Sequence, residues 1–260
     1  MQLNRFKNNI AENIFKQKYA QGVEDTWDNL AERVVEDVCG TRWGKDRALM
    51  SQEDRDQLAQ YIKEMKFIPG GRYLWYAGRP NSYYNNCYLL KGEEDTREEW
   101  AELVKRATSC LMTGGGIGVD YSIFRPKGKP LSRTGGISSG PLPLMNAINE
   151  IGRSVMQGGS RRSAIYASLN WLHEDIPDFL QIKNWSNLIK DIKETDFNFP
   201  APLDMTNISI NYDNKWKYNA NRESLHTFVE NCRQAMMTGE PGFSFNFDDR
   251  ENETLRNALT

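Results

Sequence analysis

Residues 96–122, TREEWAELVKRATSCLMTGGGIGVDYS, run from a helix signal through a cluster of glycines into a strand signal. Thr96 with Glu99 three positions on is a capping-box pattern, and Trp100, Leu103, Val104, Ala107 and Leu111 fall on one helical stripe. Val119 to Ser122 reads as the following strand, and Cys87 to Leu90 as a strand before the helix. A helix between two short β-rich runs is the repeating unit of a parallel sheet, and the same alternation recurs downstream. A helix carries Leu144, Ile148, Ile151 and Val155, a strand runs near Ala164–Asn170 and another near Met205–Asn211. A helix with Leu225, Phe228, Val229, Cys232 and Met236 then leads to a strand near Phe243–Phe247. The expected class is α/β with a largely parallel sheet. Trp185–Pro200 shows no clear period and is expected to be a loop.

Upstream the pattern differs. Residues near 4–20, then Trp27, Leu30, Ala31, Val34, Val35 and Val38 before Gly40, then Leu58, Tyr61, Ile62 and Met65 predict three helices. Pro69-Gly70-Gly71 ends this region, and the aromatic run Tyr73–Ala77 reads as a strand. The expected division is a helical region over 1–68 and an α/β region over 69–260.

The 260 residues are enough to bury a core without disulfides, and 39% hydrophobic with 26% charged residues describes an ordinary globular chain. A net charge of −2 provides no field to draw a nucleic acid backbone. No stretch of about 18 uncharged apolar residues marks a membrane span, and no leader pattern opens the chain, so a cytoplasmic protein is expected. The four cysteines lie far apart, without a CxxC pair and with only two histidines, so no metal site is expected.

Three places invite chemistry. Gly114 to Gly118 follow a helix and precede a strand, the reverse of a dinucleotide fingerprint. They either permit close packing or let a ligand approach the backbone. Gln157 to Ser163 place Arg161 and Arg162 beside glycines, which suits phosphate recognition and equally suits a solvated helix end. Cys87, in Asn85-Asn86-Cys87-Tyr88-Leu89-Leu90, is either a small buried residue or a working thiol at the start of a central strand.

In order and spacing, several unusual segments resemble those of class II, adenosylcobalamin-dependent ribonucleotide reductases. They are PGGRYLWYAGRPNSYYNNCYLL (69–90), SCLMTGGGIGVDYSIFRPKGKPL (109–131), the run 132–171, FPAPLDMTNISINYD (199–213) and TGEPGFSFNFDD (238–249). The resemblance implies roughly the first half of a ten-stranded α/β barrel whose interior is the active site. It implies that Cys87 is one of two thiols that reduce the ribose 2′ position. It places Asn86, Gly115, Gly116 and Gly118 against the ribonucleotide substrate. Arg125, Lys127 and Arg133 then fall in a first loop for a nucleoside triphosphate effector, and Arg161 and Arg162 in a second. Asn257 matches the asparagine of the family's Asn-x-Cys-x-Glu pattern, with Leu259 at the radical cysteine. The implied cofactor is adenosylcobalamin and the implied reductant thioredoxin-like. The C-terminal half is expected as a separate polypeptide or to be joined by splicing. A nucleotide-binding regulatory module without turnover is the alternative, and a related glycyl-radical enzyme is a further one.

Overall fold

The computed structural model describes residues 6, 8–24, 26–40, 49–132, 135–155, 163–219 and 221–256, apart from the side chain of Glu223. The chain divides into two compact units, residues 1–85 and 86–260.

The first unit is helical. Helix α1 (Asn9–Ile14) runs on as one π-helical turn (Phe15–Tyr19), followed by α2 (Trp27–Cys39), α3 (Gln52–Lys63) and α4 (Gly71–Tyr76). Thr26 and Ser51 cap α2 and α3 by accepting from the amides of Asn29 and Asp54. Phe15, Leu30, Ala31, Val34, Ile62 and Leu74 meet in its core. The Trp27 indole donates to the Ile62 carbonyl at 2.8 Å, which fixes α2 against the end of α3. Tyr73–Ala77, expected as a strand, forms most of α4 and its C-cap instead. Gly70 and Gly71, expected only to stop a helix, stand at its N-cap and first position. Leu74 and Ala77 are buried at helical spacing, so burial outweighs the strand preference of the aromatic residues. Residues 69–85 lie in the helical unit, seventeen residues beyond the boundary expected from the sequence.

The second unit is a five-stranded sheet, all parallel, in the order β1 (Cys87–Lys91), β2 (Gly116–Asp120), β3 (Ile165–Asn170), β4 (Thr206–Tyr212), β5 (Gly242–Phe245). Between the strands lie α5 (Arg97–Met112), α6 (Leu142–Ser154), α7 (Ile176–Gln181), α8 (Asn187–Thr195), α9 (Asn214–Tyr218) and α10 (Arg222–Thr238). Every strand is laid beside its predecessor. A doubly wound sheet reverses order at a switch point, and this one does not, so one sheet face carries the helices, as in a barrel. Leu103, Ala107 and Leu111 of α5, Leu144, Met145 and Ile148 of α6 and Phe179 of α7 pack with Ile117, Val119, Ile165, Ala167, Leu169, Ile208 and Ile210. The expected alternation is therefore present, with α8 as an additional helix inside Trp185–Pro200. Ser186 caps it, and Leu188, Ile189 and Ile192 share one side, but none of its residues is buried. The capping box expected at Thr96 is half formed. Thr96 accepts from the Glu99 amide, but the Glu99 carboxylate turns to Arg106.

Gly115 precedes β2, where a Cβ would lie 2.4 Å from the Tyr88 ring. The glycine is thus required by packing on the helix side of the sheet. Gly115→Ala is expected to destabilise the protein by about 1–3 kcal/mol, as overpacking does, and a second change, Tyr88→Leu, to restore most of the loss in urea denaturation.

Asp204, before β4, gathers Arg153, Lys193 at 2.7 Å and the Asn149 amide at 3.1 Å around a carboxylate only 1% exposed. Burial opposes its charge, but hydrogen bonds from Arg153, Lys193 and Asn149 outweigh it and hold the carboxyl below its ordinary value of 3.8. A depressed folded-state pKa stabilises above the unfolded value and is lost as pH falls. Asp204→Asn is expected to cost about 3 kcal/mol at pH 7, as loss of one partner in a buried ion pair does. In urea melts the gap from the parent protein should narrow below pH 4.

Candidate functional site

In a parallel ladder, residues in register share a face, and each strand alternates its faces. Cys87 pairs with Gly116, and Gly118 with Tyr166 and Asn207. Asp120 aligns with Ser168, Ser209 and Gly242, and Asn170 with Asn211 and Ser244. All lie on the face opposite the helices. Apart from Leu89 and Lys91 of β1, that face carries small or polar residues, and much of it is secluded: Ser168 and Asn211 are 0% exposed, Tyr166 3% and Ser244 4%. Asn211 donates to Ser168 at 3.0 Å, and Ser122 donates to Asp120 at 2.5 Å. Beyond β5, Asn246 accepts from Arg256 at 2.5 Å. Two buried atoms keep unused capacity, the Asn211 side-chain oxygen and the Tyr166 hydroxyl, which makes no well-formed hydrogen bond although Ser209 and Ser244 lie beside it. Burial chiefly raises the pKa of Tyr166, with Ser209 and Ser244 opposing.

Cys87 is the first residue of β1, half-buried and reduced. Its strand is at the sheet's edge, not at its centre as expected. Its neighbour Tyr88 packs against the helix-side core, so the thiol belongs to the polar face. Asn86 is exposed, and its carbonyl accepts from the Gly116 amide at 2.8 Å. Gly116 and Gly118 lie within β2 on the polar face, whereas Gly115 serves Tyr88 on the other side. Cys110 packs against the helix-side core and its thiol is raised by burial.

A second feature lies where β2 ends. A cavity of 670 Å³ opens between the first turn of α5 and the excursion after β2, lined among others by Asp95, Glu98, Trp100, Phe124, Arg125 and Ser138. Thr96 caps α5 here. Arg125 reaches Asp95 at 2.5 Å. Lys127 is not among the lining residues, and its ammonium stands 3.8 Å from Asp178. Arg133, Arg161, Arg162 and Asn257 lie outside the described residues. Among the described residues no group of three or more His, Cys, Asp or Glu is placed to hold a metal, and no helix is long and apolar enough to cross a membrane.

Reading the sequence for glycines and cysteines passed over Asp120, Tyr166, Ser168, Ser209, Asn211, Ser244 and Asn246. Their signal was present as a polar or small residue at every second position of IYASLN, NISIN and GFSFN.

The family model described as the ribonucleotide reductase barrel domain matches residues 85–227, more than half of the chain. A vitamin B12-dependent ribonucleoside-diphosphate reductase of Mycobacterium tuberculosis is 26% identical over 208 residues, covering 73% of this chain and 28% of that protein. The ribonucleoside-diphosphate reductase large chain of Schizosaccharomyces pombe is 32% identical over 111 residues, covering 42% of this chain and 14% of that one. This chain thus spans under a third of the length of these relatives. Among solved structures, the class Id ribonucleotide reductase alpha subunit of Actinobacillus ureae superposes with a TM-score of 0.69 at 14% identity, over 92% of this chain and 40% of that one. That likeness speaks to the fold, which is α/β with a partial barrel. With its parallel sheet and this family match, the chain belongs to the ribonucleotide reductase family.

Proposed function

We propose that this chain is the N-terminal part of a reductase that converts ribonucleotides to deoxyribonucleotides, with Cys87 as one of its two reducing thiols. The observation that carries the reading is a single thiol at the rim of a polar sheet face, beside a backbone stripped of side chains at Gly116 and Gly118. In the net reaction two thiols supply two electrons and two protons. The C2′–OH bond becomes C2′–H, water leaves, and the thiols close as a disulfide. A protonated thiol can give hydrogen to a carbon radical, which a thiolate cannot. The partner sulfur must come within disulfide reach, about 4.4–6.8 Å between Cα atoms. Cys110 packs on the helix side, and Cys39 and Cys232 lie on helices α2 and α10, so the partner is assigned to the complementary half, in trans or after splicing. A thioredoxin-like dithiol then reopens the disulfide.

The cobalamin-dependent reading is supported by the reach of the B12-dependent relative, 73% of this chain against 42% for the yeast class I large chain. The described residues do not themselves form a corrin site. The 670 Å³ cavity is lined by groups suited to a nucleotide, and no histidine is among its lining residues. No step is therefore assigned through that cofactor.

The cavity is the proposed effector site. Arg125 can pair with phosphate oxygens, Asp95 and Glu98 can accept from ribose hydroxyls, and Trp100 and Phe124 offer apolar surface to a base. Arg133, Arg161 and Arg162 are proposed to add to it from the two loops.

Two outcomes test this. The 260-residue chain alone should reduce no ribonucleotide with adenosylcobalamin and a dithiol. Joined to its complementary half with a cysteine at 259 it should turn over, and Cys87→Ser should lower that turnover at least ~10³-fold, the scale of losing a group that acts in the chemical step. Turnover by the unmodified chain, or full activity of the serine variant, overturns the reading. In calorimetry, ATP should bind the chain alone, and Arg125→Ala should weaken binding about 10-fold, the worth of one charge-assisted contact. ATP binding without turnover in the joined protein would support the regulatory module instead.

A further inference from the structure

Between β2 and α6 the chain makes a finger. The Gly128 amide donates to Ser138 at 2.8 Å, Ser138 to Lys129 at 2.7 Å and Leu131 to Gly136 at 3.0 Å, around a single bridge of Pro130 with Ile137. This finger supplies Leu131, Ser132, Ile137, Ser138 and Ser139 to the cavity. Two narrow strands cannot hold their own position in water. Something at the root must do so.

The root is held from the turn before α7. His173 Nε2 lies 2.8 Å from the Phe124 carbonyl, where the finger begins. Its Nδ1 accepts from the Asp175 amide at 3.1 Å, which places the ring hydrogen on Nε2. The Asp175 carboxylate, 8% exposed, accepts from the Lys127 amide with both oxygens at 3.1 Å. Where the finger ends, a Cβ on Gly140 would lie 2.3 Å from Asp175 Oδ2, and φ there is +77°. Entry and exit are thus gathered on one side-chain pair, and that pair is anchored in the core by Ile176, Phe179 and Leu180 of α7. Neither His173 nor Asp175 lines the cavity.

We propose that His173 and Asp175 are positioning residues for the nucleotide cavity, clamping both ends of the finger that forms its wall. The proposal rests on the reading of that cavity as a nucleotide site. Among the described residues, the cations of the finger are paired as well. Lys129 pairs with Glu174 at 2.7 Å, Lys127 lies 3.8 Å from Asp178, and Arg125 is held by Asp95.

The test uses the whole chain and two readouts, amide hydrogen exchange with and without ATP and ATP affinity by calorimetry, each at pH 7.5. His173→Ala should speed exchange at Lys127, Gly128 and Ser138 at pH 7.5, leave β2 and β3 protected, and weaken ATP binding about 10-fold, the equivalent of one or two hydrogen bonds. His173→Asn keeps an acceptor for an amide two residues on, so it should recover part of the affinity. Asp175→Asn should loosen the same amides. Unchanged exchange at Lys127 in both His173→Ala and Asp175→Asn, or loosening spread equally over the sheet, would overturn the clamp. If the parent binds no ATP, the effector reading fails, while the exchange data still decide the clamp.

Discussion

Everything in the second unit depends on the alternation of side chains in five parallel strands. A strand has two faces and one period, so a sequence that puts Ile, Ala and Leu at one parity leaves the other parity free of packing duties. In β3, Ile165, Ala167 and Leu169 meet the helices, while Tyr166, Ser168 and Asn170 do not. Because strand order is sequential and the helices share one face, the free parities of all five strands add into one surface. Burial of the helix side secures the fold. The same burial holds Cys87, Gly116 and Gly118 on the other side.

This explains which features could be read from the chain alone. Helices with a buried stripe and a capping residue were legible, as with Trp100 to Leu111 after Thr96. So were strands whose apolar parity is strong. Tyr73–Ala77 was misread because aromatic residues favour strands only where a sheet is available to receive them. Here Leu74 finds a helical core first. Helix α8 was missed for another reason: its apolar stripe is short, Leu188, Ile189 and Ile192, and none of its residues is buried.

The candidate site divides in the same way. Gly115 and Gly116 are adjacent in a glycine run and look alike in sequence, yet parity sends them to different tasks. One makes room for Tyr88, and the other lies beside Cys87. No local pattern separates them until the register of β1 against β2 is known. The clamp was equally hidden. His173 and Asp175 sit in an ordinary turn, and their meaning comes from Phe124, Lys127 and Gly140, between 33 and 51 residues away in sequence.

Strand β2 joins the two candidate sites. Its first residue pairs with Cys87, its last is Asp120, and four residues later the chain enters the finger at Phe124. Its exit is tied across the sheet. Ser122 donates to Asp120, and its hydroxyl accepts from the Asn170 amide at 2.8 Å. The Asn170 side chain donates to Asp213 at 3.0 Å, and the Trp171 indole donates to the same carboxylate at 2.9 Å. Burial opposes the charge on Asp213, but hydrogen bonds from Trp171 and Asn170 outweigh it and keep its carboxyl below the ordinary range. The C-terminal ends of β2, β3 and β4 are thereby linked by directed bonds as well as by their ladders. The turn that holds the finger root through His173 starts at Asn170, whose amide donates to Ser122, and Ser122 in turn donates to Asp120. The cavity wall and the polar face therefore border the same ends of β2 and β3.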